Sequence, residues 1–77
     1  MSVFVVGKQY NATTYSTYYP EIFIVTRITG KCVWAKHIHS PMRPKRYKIK
    51  HMDNTEYFSC GRHAGATFVC AENVIND

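Results

Sequence analysis

The sequence predicts an all-β domain, a small antiparallel barrel of five to six short strands, and three observations carry that expectation. Leucine does not occur, and β-branched and aromatic residues far outnumber alanine, so side chains that suit a pleated surface dominate. No ten-residue stretch places apolar positions at the i, i+3, i+4, i+7 spacing of a helix, whereas period-2 stretches bounded by Gly, Asn, Asp and Pro recur. With 77 residues the chain has room for one core, and a sheet that small hides its edges best by curling on itself. Residues 1–77 therefore read as a single domain, without internal repeat or low-complexity linker.

Val3-Phe4-Val5-Val6 is a candidate first strand, broken by Gly7. Lys8 to Pro20 is polar and rich in Thr, Tyr and Asn. It reads as a long loop with room for a short strand around 14–18, ended by Pro20, which has no N–H to give a ladder. Glu21 to Thr29 is the clearest strand and belongs in the centre of the sheet, with Ile22, Ile24 and Ile28 on one face and Phe23, Val25 and Arg27 on the other. Gly30, free to take positive φ, turns the chain tightly into Cys32 to Ile38 and makes a hairpin. After the Ser40-Pro41-Met42 break, Arg43 to Met52 reads as one strand in which Tyr47, Ile49 and His51 alternate with Arg46, Lys48 and Lys50. Asp53-Asn54-Thr55 supplies turn chemistry before Glu56 to Ser59, Gly61 to Gly65 is a second break with room for one helical turn, and Ala66 to Ala71 is the last strand.

The succession Thr26-Arg27-Ile28-Thr29-Gly30-Lys31, Val33-Trp34-Ala35-Lys36, Arg46-Tyr47-Lys48-Ile49-Lys50, an acidic turn, Glu56-Tyr57-Phe58, then Gly61-Arg62-His63 before an Ala-rich strand resembles a group of small uncharacterised domains of bacterial phages and mobile elements. Those domains are similar to the Src-homology and Sm-type small barrels, and the likeness runs from Gly7 to about Asn73. It implies a Src-homology-like barrel of mobile-element origin whose partners are nucleic acid or the complexes that process it. Small phage-borne domains also include anti-CRISPR inhibitors of host defence, which gives an alternative role. No catalytic residue is carried over.

No apolar run approaches the ~20 residues of a membrane span, and Met1 to Val6 is too short, and lacks the basic stretch, for a secretory signal. A cytoplasmic protein is expected. Cys32, Cys60 and Cys70 are an odd set, which speaks for reduced thiols over a disulfide framework. Ten Lys and Arg against five Asp and Glu give a formal net charge of +5, a field that attracts polyanions and acidic protein surfaces alike.

The main candidate site is the basic strand, where Arg43, Lys45, Arg46, Lys48 and Lys50 cluster around Tyr47, with Lys36 and Arg62 extending the field. Such a stripe neutralises phosphates and releases counterions; the alternative is a solvated face whose lysines keep an edge strand from aggregating. Tyr10, Tyr15, Tyr18 and Tyr19 crowd one loop, as a stacking platform for unpaired bases, a protein-binding anchor, or caps on the barrel. Cys60 and His63 have the gap of a metal knuckle that Cys70, Cys32, His37, His39 or His51 would complete, yet the spacing matches no repeated zinc signature, and no metal or other cofactor is expected.

Catalysis has little to stand on. Glu21, Asp53, Glu56, Glu72 and Asp77 form no pair placed for acid–base work, Cys60 with His63 lacks an orienting group, and Gly7, Gly30, Gly61 and Gly65 make no phosphate loop. The expectation is a non-enzymatic binder of nucleic acid through residues 43–50 and the tyrosines of 10–19. The alternative is an inhibitor that lays the same patches on an acidic surface of a nucleic-acid-processing protein, and an open edge would also let a second copy associate.

Overall fold

A computed structural model describes residues 1–13, 21–61 and 67–75. Among them there is no helix. Seven strands form one antiparallel sheet: β1 (Gln9–Thr13), β2 (Ile22–Thr29), β3 (Cys32–His37), β4 (Lys45–Lys48), β5 (Lys50–Met52), β6 (Thr55–Ser59) and β7 (Phe68–Val74). Their order across the sheet is β4-β3-β2-β1-β7-β6-β5. The all-β class is as the sequence predicts; the count is seven rather than five or six.

β4 and β5 stand at opposite ends of that order, yet only Ile49 separates them in the chain. The sheet must therefore roll until its two edges meet. No ladder joins them, so the sheet is not closed into a barrel. Ile49 explains the break in what the alternation predicts as one strand from Arg43 to Met52. Its side chain is buried and its N–H donates to the Lys31 carbonyl at 2.7 Å, in the β2–β3 turn, instead of continuing a ladder.

Two other expectations are corrected. Val3 to Val6 is not a strand: Ser2 makes a single parallel bridge to Thr55, Phe4 is buried, and Val3, Val5 and Val6 remain exposed. The segment lies across the sheet because its polar backbone finds partners there. The Phe4 N–H donates to Glu56 Oε1 at 3.0 Å, and Val5 N–H to the Tyr10 hydroxyl at 2.8 Å. Conversely, the first part of the supposed Lys8–Pro20 loop is β1, and Tyr10 is a core residue, 1% exposed. Residues 14–20 lie outside the described residues.

The core is built around Phe58, with ring centroids 5.4 Å from Phe4, 6.1 Å from Phe23 and 4.6 Å from Tyr47. Val25, Val33, Ala35 and Val69 fill the space between. In β2 a bulge between Val25 and Arg27 shifts the register. It reverses the expected phase, so Ile28, not Arg27, shares the core side with Phe23 and Val25. A second irregularity, in the β1–β7 pairing between Tyr10 and Ala12, accompanies three successive buried residues, Val69, Cys70 and Ala71. There the Glu72 N–H donates to the Oγ1 of buried Thr55 at 3.0 Å.

Candidate functional site

The β2–β3 hairpin turns at Gly30, whose φ of 53° is the left-handed conformation that glycine tolerates best. Its register sets Arg27 opposite Trp34, and β4 in turn sets Arg46 opposite Trp34 and Lys48 opposite Cys32. Because Val33 and Ala35 point into the core, Cys32, Trp34 and Lys36 point outward, and so do their partners. The result is a row across three strands, Arg27–Trp34–Arg46, flanked by Lys36 and Lys48. The Arg27 guanidinium lies over the indole at 4.8 Å from its centroid, a cation–π contact that holds both groups in place. Among the described residues no carboxylate is paired with any of these four cations.

The basic run of residues 43–50 is thus divided three ways. Arg46 and Lys48 join the outer row. Lys50 lies beyond the kink on β5, opposite Tyr57. Lys45 is exposed but pairs with core-facing Ala35, which sends it to the other side of β4 from Arg46. With Arg43 it edges a cleft of about 180 Å³ whose lining includes Phe23, His37 and Tyr47. Lys36 reaches the same rim, its Nζ 3.4 Å from the Ser40 carbonyl.

Tyr47 is half-buried and stacks on Phe58 with planes 21° apart, so one face of its ring belongs to the core. Burial, then the neighbouring Cys60, pushes the Tyr47 pKa above its ordinary 10.0. Cys60 is exposed as a residue, but its sulfur is partly desolvated and faces Glu21; these raise its pKa above the ordinary 9.0, against the opposing pull of Tyr47 and Lys45. This is a protonated, unactivated thiol. Cys70 is buried, and desolvation with Glu72 raises its pKa too.

Cys32, Cys60 and Cys70 are all free thiols. Among the described residues no three His, Cys, Asp or Glu side chains gather to hold a metal ion. Tyr15, Tyr18, Tyr19, Arg62 and His63 lie outside the described residues. His51 sits 3.6 Å from Glu56, whose other oxygen holds the Phe4 amide, so this pair serves the N-terminal segment.

Arg27 and Trp34 are absent from the sequence-based site. Their pairing was implied by the tight turn alone: counting outward from Gly30-Lys31 places them face to face. No known protein family, curated protein or solved structure matches this chain. No described helix is long and apolar enough to cross a membrane.

Proposed function

We propose that this chain is a non-enzymatic module that binds nucleic acid, chiefly the sugar-phosphate backbone, on the outer face of β2–β3–β4. The observation that carries the reading is the Arg27–Trp34–Arg46 row with Lys36 and Lys48 beside it, four cations around an aromatic platform with which no carboxylate pairs among the described residues. Phosphates are met by the cations, and a base can stack on the indole or on the guanidinium plane covering it. The same reading takes from the sequence a nearly closed small barrel, a cytoplasmic setting and a mobile-element origin.

The test is fluorescence anisotropy with labelled single- and double-stranded DNA and RNA at about 50 mM salt and above, where counterion release makes affinity steeply salt-dependent. Binding to at least one of these that weakens steeply with salt is expected. No binding to any of them at low salt overturns the reading and leaves an acidic protein surface, as an inhibitor of a nucleic-acid-processing complex would use, as the partner for the row.

A further inference from the structure

The cleft at the end of β3 and β4 is separate from the outer row but shares Lys36 with it. Its walls are aromatic: His37 packs edge-on to Phe23 at 5.8 Å, and Tyr47 has one ring face against Phe58, which leaves the rest of the ring to the cleft. Its rim carries Lys36, Arg43 and Lys45, and among the described residues no carboxylate lines it. A space of about 180 Å³ is well below the ~300–1,000 Å³ of pockets that enclose a drug-sized ligand. It suits one flat ring. Aromatic walls with a purely cationic rim select a planar group joined to anions, and along a nucleic acid that group is a single base with the phosphates on either side of it.

We propose that this cleft seats one unstacked nucleobase of a strand whose neighbouring phosphates lie on Lys36, Arg43 and Lys45. The His39 N–H donates to His37 Nδ1 at 3.3 Å, which leaves the Nε2 side of the imidazole for the base. A base in a duplex cannot reach the cleft without being unpaired, so the seat makes the protein prefer single strands. This inference rests on the nucleic-acid reading above, and its test separates the two.

The experiment compares a thymidine oligonucleotide with an abasic oligonucleotide of equal length and phosphate count, by anisotropy at low salt. Stacking of one base predicts that the thymidine strand binds about 5- to 150-fold more tightly. His37→Ala should bring the thymidine strand close to the abasic one and leave abasic binding unchanged. Because His37 touches Phe23, a second variant protects the test: Met42 is 66% exposed on the cleft wall, and Met42→Trp lays a competing ring over the mouth without touching the core. It should have the same effect. Equal affinity of the two strands overturns the base seat while leaving backbone binding intact. A thymidine preference that survives both variants but disappears in Trp34→Ala places the base on the outer row and also overturns it. Failure of both strands to bind overturns the seat, and it removes the nucleic-acid reading as well only where duplex DNA and RNA also fail to bind at low salt.

Discussion

The outer row makes a quantitative demand on salt dependence. Four cations, Arg27, Lys36, Arg46 and Lys48, face outward together, and a single strand that engages all of them should show a log–log slope of about −2.8, an affinity loss of about 50-fold between 50 and 200 mM salt. Replacing Arg46 and Lys48 by glutamine leaves two contacts, and the slope should fall to about −1.4, with only about 7-fold lost over the same range. Both residues are exposed, so the double variant should keep its fold, as surface changes usually stay within about 0.5 kcal/mol. The matched control is Lys8→Gln with Lys50→Gln, which removes the same charge from outside the row and should keep the slope near −2.8. Anisotropy titrations at four or five salt concentrations measure all three. If the control flattens the slope as much as the double variant, binding responds to net charge and the row has no special part in it.

Other perturbations probe the fold that holds the row. Thr55→Val should cost about 1–3 kcal/mol, because the buried Thr55 hydroxyl is the acceptor for the Glu72 N–H; at about 4–8 °C per kcal/mol a melting curve resolves this, and Thr55→Ser should recover most of it. Phe58→Ala removes a fully buried ring that touches Phe4, Phe23 and Tyr47, at a cost of about 3–5 kcal/mol. A chain of this length holds only about 4–12 kcal/mol in total, so substantial unfolding by circular dichroism at 37 °C is expected. Stability should also fall at alkaline pH. Burial raises the pKa values of Tyr10 and Tyr47 above 10.0 and those of Cys60 and Cys70 above 9.0. The unfolded chain releases these protons first, so their stabilisation is complete below about pH 9 and is lost as pH rises through the folded values. The melting temperature should decline above that point, and Tyr47→Phe with Cys70→Ala should flatten the decline; an unchanged profile would mean these groups are not the cause.

How far the sequence reveals such a molecule depends on where short-range chemistry fixes geometry. The hairpin from β2 to β3 is legible because Gly30 permits a two-residue turn, and a two-residue turn sets the register. β1 is less so: Gln9-Tyr10-Asn11-Ala12-Thr13 does alternate polar and apolar, but its Tyr and Thr match the composition of the residues after it, and only the hydroxyl's bond to Val5 shows why a tyrosine suits the core there. The bulge at Thr26 has no sequence signal, since any residue can occupy it, and it alone decides that Ile28 rather than Arg27 faces inward.

The candidate site shows the same division. Arg43, Lys45, Arg46, Lys48 and Lys50 look like one stripe because charge is additive along a sequence, whereas a strand sends successive side chains to opposite faces. Period 2 separates Lys45 from Arg46, and it would group Arg46, Lys48 and Lys50 on one face. What it does not show is that Ile49 ends β4, so that Lys50 belongs to the far edge of the sheet. Nor does it give Arg46 its place beside Trp34, because the connection from Ile38 to Pro44 is too long to fix a register. The aromatic partner of the basic strand is therefore Trp34, on the strand between those of Arg27 and Arg46 and paired with both arginines, while Tyr47, the aromatic residue within the run, faces Phe58 and the cleft. One strand thus contributes cations to the outer row through Arg46 and Lys48, and to the cleft through Lys45. A strand of nucleic acid crossing β4 would meet both, and that shared strand is why the charge variants and the base-seat variants must be read in separate experiments.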